Sequence, residues 1–148
     1  MTIRADNLTV SYGRATILHS LSFGPLEPGN VVGLIGPNAA GKSTLVKTIA
    51  GIKEPAEGSV TLSVDGAELV GKQKVQAVGY VPQDLLNSAS LTAFESIMVS
   101  ARRRGDATWN PLERSATVME RLGITHLAGR LVSDMSGGQR QLVAMAQM

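Results

Sequence analysis

A glycine-rich stretch near the start of the chain joins two segments with different hydrophobic periods. The stretch covers residues 36–43 and reads GPNAAGKS. It follows an apolar run, 31–35, that predicts a buried strand. It precedes the segment 44–50, in which Leu45 and Ile49 lie four residues apart, as on one face of a helix. A buried strand that passes through a tight turn into a helix is typical of α/β folds, so we expect an α/β protein.

The same stretch fits the pattern G-x-x-x-x-G-K-[ST], the loop that cradles nucleotide phosphates. Its glycines let the backbone approach the phosphates, and the N–H groups of the loop and of the first helical turn point at the anion. In this pattern Lys42 reaches the β- and γ-phosphates and the Ser43 hydroxyl binds Mg²⁺. The alternative is a glycine-rich strand-to-helix turn with an incidental lysine. The predicted nucleotide-binding residues here are Gly36, Pro37, Asn38, Ala39, Ala40, Gly41, Lys42, Ser43 and Thr44.

Composition narrows the class of protein. The 148 residues fit one domain on the rough scale of ~100–200 residues per domain. A net charge of +2 and an aromatic content of 3% argue against a nucleic-acid partner, because basic side chains and stacking rings are not interleaved. No apolar run approaches the ~18 residues of a membrane helix, and a chain without cysteine fits a reducing compartment. We therefore expect a cytoplasmic protein that reaches a membrane only through a partner.

Hydrophobic periods divide the chain into a strand-rich first part and a helical second part. Alternating or continuous apolar residues predict further strands at 8–12, 17–23, 59–64 and 77–81. Asp65-Gly66 predicts a hairpin turn. From about Asn87 the period is helical, which predicts a helical insert after the strands.

Local signals predict where the helices begin and end. Thr92 and Glu95 form a capping-box pattern at the start of one helix. Pro111 fits the first turn of a second helix, with Gly123 as its stop. The last helix is predicted over 140–148. The predicted apolar face of the second helix consists of Leu112, Ala116, Met119 and Leu122.

Three further features lie in a fixed order around the glycine-rich loop. Tyr12 precedes the loop, Tyr80-Val81-Pro82-Gln83 follows it, and 135–141 reads MSGGQRQ. Together with the loop, these features resemble the nucleotide-binding subunit of ATP-binding-cassette (ABC) transporters, over essentially the whole chain. The resemblance implies a P-loop NTPase core with an antiparallel β subdomain and a helical insert, incomplete at the C-terminus. It implies a core over 1–86 with the loop, a helical subdomain over 87–135, and the signature loop with the start of a helix over 136–148.

The resemblance also implies roles for these residues. Tyr12 is expected to stack on adenine, although it could be an ordinary strand tyrosine. Gln83 is expected to contact Mg²⁺ and the attacking water, which makes Lys42 and Gln83 the predicted catalytic residues and Ser43 and Gln83 the predicted metal ligands. The signature loop is expected to bind the γ-phosphate of a nucleotide held by a second subunit, although its serine could simply cap a helix. Its predicted nucleotide-binding residues are Ser136, Gly137, Gly138 and Gln139.

The chain departs from the family pattern in several places. Ala39 stands where the family most often has glycine, which we expect to be tolerated if its φ is negative. Met135 replaces the commoner leucine. The Asp and Glu of the family's catalytic strand and its later histidine cannot be found, because no acidic residue follows Asp134. We therefore expect the 148 residues alone to be inactive, and to fold poorly or bind nucleotide weakly.

The resemblance favours an ATPase subunit that uses ATP and Mg²⁺ to drive solute import, most similar to importers of iron chelates, vitamin B12 and related metal complexes. It implies a second ATPase subunit (a homodimer), transmembrane permease subunits, an indirect substrate-binding protein, and a position on the inner face of the cell membrane. Two alternatives stay open: a soluble ABC ATPase without a transport role, and a nucleotide-binding module without turnover. A small-molecule kinase is disfavoured because 135–141 would then be accidental.

Overall fold

The computed structural model describes residues 1–82, 90–103 and 110–148, apart from the side chains of Val75 and Arg103. The chain forms two compact units, Met1–Tyr80 and Val81–Met148. Among the described residues, none of the helices combines the length and the apolar character that crossing a membrane requires. Each unit has its own buried cluster of apolar side chains, so each is described separately.

The first unit is built on a four-stranded antiparallel sheet with the order β2-β1-β3-β4. The strands are β1 (Thr2–Tyr12), β2 (Ala15–Leu26), β3 (Glu57–Val64) and β4 (Ala67–Glu68). Strand β1 pairs with both β2 and β3, and Asp65-Gly66 turns β3 into β4 as predicted. The predictions of strands at 8–12, 17–23 and 59–64 are confirmed.

One face of this sheet is covered by helix α1 (Lys42–Ile49). The alternation in β1 buries Leu8 and Val10, and Leu45 of the helix joins them. Full burial of a leucine side chain contributes roughly 1.5–3 kcal/mol, so this small cluster fixes the helix on the sheet. The buried members of the cluster are Ala5, Leu8, Val10, Leu18, Leu45 and Val60.

Two predicted strands are wrong. Residues 31–35 have no strand pairing with any described strand and are exposed, with Val31 at 101% and Ile35 at 95% relative accessibility. Residues 72–77 form helix α2 (Lys72–Ala77), and the chain then continues without strand pairing to Pro82. An apolar run becomes a strand only when a neighbouring strand takes up its backbone hydrogen bonds, and no described strand does so here.

The second unit is helical, as predicted. Its helices are α3 (Ala93–Arg103), α4 (Pro111–Arg121) and α5 (Gly137–Ala146), with short 3-10 turns at Thr125–Leu127 and Val132–Asp134. The predicted starts of α3 and α4 and the stop of α4 before Gly123 are confirmed, whereas α5 begins three residues before the predicted Arg140. Its core consists of Ala93, Ile97, Met119, Ile124, Leu127, Val132, Met135, Val143 and Ala146.

The predicted apolar face of α4 is partly wrong. Leu112 and Ala116 are exposed, while Met119 is buried and Leu122 is half-buried. Ser115, which was not predicted on this face, is also fully buried, and its Oγ donates to the Pro111 carbonyl oxygen at 2.7 Å. This bond satisfies the hydroxyl inside the helix, so a polar residue can occupy a core position that hydrophobicity alone would not predict.

Candidate nucleotide-binding site

The glycine-rich loop leads directly into α1, and Gly41 is the residue at which the turn is made. Its φ is +86°, a value that favours glycine. A Cβ on Gly41 would lie 2.7 Å from Leu18 Cδ2 and 3.2 Å from Ile17 Cγ2, so the backbone of the loop rests directly on β2. The position therefore requires glycine for two reasons, its dihedral angle and its contact with the sheet.

Lys42 is the first residue of α1, and its side chain folds back over the loop. Its Nζ donates to the carbonyl oxygens of Gly36, at 2.7 Å, and Pro37, at 2.5 Å. The loop is further closed by a bond from the Ala40 N–H to the Pro37 carbonyl oxygen at 3.3 Å. The ammonium group therefore lies against the backbone of the loop, and its contact with phosphate stays a prediction.

The N-terminus of α1 is open. Gly41 provides no side-chain cap, and the first helical hydrogen bond runs from the Leu45 N–H to the Gly41 carbonyl oxygen. The N–H groups of Lys42, Ser43 and Thr44 precede that bond and have no partner within the helix. Ser43 is exposed, whereas Thr44 is buried at 8% accessibility, so Ser43 is the hydroxyl residue accessible at this end.

Ala39 occupies an unfavourable conformation in the same loop. Its φ is +65°, in the left-handed region that glycine adopts at little cost. The condition under which this substitution was expected to be tolerated, a negative φ, is therefore not met. Because alanine has a Cβ, this left-handed φ carries a conformational cost that the family's usual glycine avoids.

Tyr12 is accessible at the end of β1. Its side chain is 46% exposed, and Lys53 Nζ lies 4.9 Å from the centroid of the ring. Lys53 follows α1 and its amide N–H donates to the Lys47 carbonyl oxygen at 3.3 Å. Sequence reasoning missed Lys53, because a cation placed over a ring by a loop has no signature in spacing or type.

The predicted signature loop lies in the second unit, at the start of α5. Ser136 is the N-cap, and its Oγ accepts from the Gln139 N–H at 3.3 Å, while Gln139 Oε1 accepts from the Ser136 N–H at 3.1 Å. The N-cap alternative for Ser136 is therefore realised. Gln139 shapes the loop through this reciprocal bond, and its predicted contact with nucleotide stays a prediction.

Gly137 and Gly138 begin α5 without a conformational or packing reason within the described chain. A Cβ at either position would meet no atom within 4 Å, and neither has a positive φ. Glycine in a helix costs roughly 0.5–1 kcal/mol relative to alanine. The predicted contact of these two glycines with a nucleotide stays a prediction.

The predicted site residues are divided between the two units. Tyr12 and the loop 36–44 lie in the first unit, and Ser136–Gln139 lie in the second. Gln83 lies outside the described residues. The described residues contain no group of three or more His, Cys, Asp or Glu side chains that could hold a metal ion. The Ser43 hydroxyl fits Mg²⁺ as one ligand, because Mg²⁺ at such sites takes most of its other ligands from water and substrate phosphates.

Comparison with known proteins agrees with these features. The hemin import ATP-binding protein HmuV of Bordetella bronchiseptica (strain ATCC BAA-588 / NCTC 13252 / RB50) is 38% identical over 152 residues, covering 100% of this chain and 57% of that protein. The ferric enterobactin transport ATP-binding protein FepC of Escherichia coli (strain K12) is 32% identical over 99% of this chain and 55% of that protein. The linearmycin resistance ATP-binding protein LnrL of Bacillus subtilis (strain 168) is 33% identical over 95% of this chain and 45% of that protein.

The fold is also shared with solved structures. A nucleotide-free ATP-binding cassette from an ABC transporter matches with a TM-score of 0.79 and 25% identity, covering 99% of this chain and 64% of that one. The predicted fold class, an α/β P-loop NTPase core with an antiparallel β subdomain and a helical insert, is confirmed. The chain spans about half the length of the curated relatives it matches. The model of the family described as ABC transporter matches residues 18–148, and the chain belongs to that family.

Proposed function

We propose that this chain is part of an ATP-binding subunit that couples ATP binding and hydrolysis to solute import through a membrane permease. The observation that carries the proposal is the construction of the loop before α1. A glycine that tolerates no side chain, an uncapped helix N-terminus and the Lys42 ammonium converge on the same few residues. Together they supply the N–H donors and the positive charge that bind a triphosphate.

Each loop residue then has a defined task. The backbone N–H groups of 36–44, which all residues but Pro37 possess, surround the β- and γ-phosphates. Lys42 donates to the phosphate oxygens, and Tyr12 stacks on the adenine. Ser43 and Gln83 would hold Mg²⁺, which would neutralise charge on the phosphates when bound with the nucleotide. In hydrolysis, water attacks the γ-phosphorus, the bond to the β-phosphate oxygen breaks, and ADP and phosphate leave. Lys42 stabilises the developing charge, and Gln83 orients the water.

A second phosphate contact is proposed for the start of α5. The Ser136 hydroxyl caps the helix, the N–H groups of Gly137 and Gly138 precede the first helical hydrogen bond, and the missing Cβ atoms of both glycines leave room for close approach. In the proposed arrangement these residues contact the γ-phosphate of a nucleotide held by a second copy, so that ATP binding draws two copies together. The division into a core (1–86), a helical subdomain (87–135) and a signature segment (136–148) belongs to the same proposal.

The proposed cargo class is an iron chelate or another metal complex. It is supported by similarity to relatives named for hemin import and ferric enterobactin transport. The relative named for linearmycin resistance shows that the same degree of similarity extends to another task, so the cargo is the least constrained part of the proposal. The proposed partners are transmembrane permease subunits and, indirectly, a substrate-binding protein, with the ATPase on the cytoplasmic face of the membrane.

The proposed phosphate-binding role of the glycine-rich loop is tested by the Lys42→Ala variant of the natural protein. Charge-assisted hydrogen bonds are worth roughly 1.5–3 kcal/mol each, so ATP affinity is expected to fall by about 10- to 100-fold. Calorimetric titration with ATP measures the loss. Lys47→Ala is the matched control, since Lys47 is a lysine in the last turn of the same helix, and it is expected to bind ATP like the wild type. Equal affinity in the Lys42 variant and the wild type would contradict the proposal.

A further inference from the structure

Arg130 lies in the segment that leads to Ser136, and its backbone is fixed on both sides. Its N–H donates to the Leu127 carbonyl oxygen at 2.9 Å, and its carbonyl oxygen accepts from the Ala93 N–H at 3.0 Å. Ala93 is the first residue of α3 and is fully buried. The backbone of Arg130 is therefore anchored against the start of α3.

The same segment is joined to the start of α3 by further backbone bonds. The Phe94 N–H donates to the Ala128 carbonyl oxygen at 3.1 Å, and the Val132 N–H donates to the Leu91 carbonyl oxygen at 3.0 Å. Thr92 and Leu131 form an isolated antiparallel bridge between these two bonds. These backbone bonds attach the residues just before the signature loop to the N-terminus of α3.

The Arg130 side chain extends this anchor to the signature loop itself. Its Nη2 donates to the carbonyl oxygen of Asp134 at 2.7 Å. Asp134 closes the 3-10 turn Val132–Asp134 and lies two residues before Ser136. A short bond from a guanidinium to a backbone carbonyl is charge-assisted, and it fixes the direction of the peptide that enters the N-cap of α5.

We infer that Arg130 is a positioning residue for the signature loop: it holds the peptide at Asp134 so that the first turn of α5, with Ser136, Gly137 and Gly138, faces the γ-phosphate on a second copy. The inference rests on the proposed function. Arg130 acts through the Asp134 carbonyl and does not itself contact the nucleotide. Its guanidinium also keeps a positive charge close to the start of α5, where an anion is expected.

The test compares Arg130→Met and Arg130→Lys in the natural protein. Methionine keeps much of the side-chain length and removes the donors and the charge, whereas lysine keeps the charge and N–H donors but lacks the planar guanidinium. For Arg130→Met we expect ATP affinity of the isolated subunit within 2-fold of wild type, and ATP-driven dimerisation and kcat lowered by about 10-fold. Arg130→Lys is expected to keep both within about 3-fold. Arg121→Met, at an exposed arginine in the last turn of α4, is the matched control and is expected to behave like the wild type.

A double-mutant cycle with Ser136→Ala separates positioning from a general structural effect. If Arg130 acts through the signature loop, Arg130→Met changes dimerisation by less than 2-fold once Ser136 is alanine. Full additivity of the two effects would overturn the inference, as would unfolding of Arg130→Met, because an exposed side chain of this role is dispensable for the fold. Unchanged dimerisation in Arg130→Met, with loss in Ser136→Ala, overturns this inference alone. Wild-type dimerisation in Ser136→Ala and wild-type ATP binding in Lys42→Ala would instead overturn the proposed function.

Discussion

At the scale of single residues, the loop before α1 combines a required glycine with an unfavourable alanine. Gly41 meets two demands at once, while Ala39 holds a φ of +65° that its methyl group opposes. A left-handed conformation costs an L-residue roughly 1–2 kcal/mol relative to the right-handed helix. The surrounding loop must supply that energy, so the stability of the protein is lower than the family's usual glycine would allow.

Replacing Ala39 with glycine is expected to stabilise the natural protein by about 0.5–1 kcal/mol. The gain is smaller than the strain, because glycine also raises the entropy of the unfolded chain. Urea unfolding followed by circular dichroism measures the change. Ala40→Gly is the matched control: Ala40 is not among the described residues with positive φ, so the same substitution is expected to destabilise by about 0.4–1 kcal/mol. Destabilisation by both substitutions would contradict the strain at Ala39.

At the scale of elements, most helix ends were predictable, whereas two of the predicted strands do not form. The starts of α3 at Thr92 and of α4 at Pro111 depend on residues within one turn of each other, so the sequence alone predicted them, whereas α5 begins at Gly137 and not at the predicted Arg140. The run 31–35 had the hydrophobicity of a strand, but strand formation depends on a partner distant in sequence. The face of α4 was misplaced because a local hydrogen bond made Ser115 a core residue.

The cap of α3 gives the protein a predictable acid sensitivity. Hydrogen bonds from the backbone N–H and the side-chain hydroxyl of Thr92 lower the pKa of Glu95. A lowered folded-state pKa means that the carboxylate contributes stability above its unfolded pKa, about 4.3, and that this contribution is lost as pH falls through the folded value.

The variant Glu95→Gln is expected to lose less stability than the wild type as the pH falls below about 4.5, because glutamine accepts the same hydrogen bonds without titrating. Urea unfolding at several pH values between neutral and acid measures the difference. Thr92→Ser keeps both donors and serves as the control, with the pH dependence of the wild type. If the free energy of unfolding depends on pH in the same way for Glu95→Gln and the wild type, the ionisation of Glu95 does not contribute to stability.

At the scale of the whole molecule, the two groups of predicted site residues belong to two units with separate cores. Each group was identifiable from local patterns: a phosphate loop before a helix, and a serine cap followed by two glycines. Their joint action on one nucleotide came from the family resemblance, since it involves a second copy of the protein. Gln83 lies outside the described residues, so its predicted role rests on its sequence context.

The segment 31–35 gives the 148-residue chain an exposed apolar surface. Four nearly consecutive apolar side chains are exposed here, those of Val31, Val32, Leu34 and Ile35. Contiguous apolar surface binds apolar dyes and promotes association, whereas scattered apolar residues are ordinary. We expect Ile35→Asn to lower the fluorescence of bound ANS by about half, and Ile52→Asn, at an exposed isoleucine after α1, to change it little. Equal ANS fluorescence for the wild type, Ile35→Asn and Ile52→Asn would show that the segment 31–35 is covered.

The two bonds from Lys42 to the Gly36 and Pro37 carbonyl oxygens make nucleotide recognition an exchange. In the proposed function, the Lys42 ammonium exchanges two neutral carbonyl acceptors for charged phosphate oxygens. The affinity for ATP therefore reflects the difference in free energy between these two sets of hydrogen bonds. The loop thereby keeps its cation solvated by its own backbone and releases it only to a ligand with stronger acceptors. In the proposed function, this exchange favours phosphate over anions that accept hydrogen bonds more weakly.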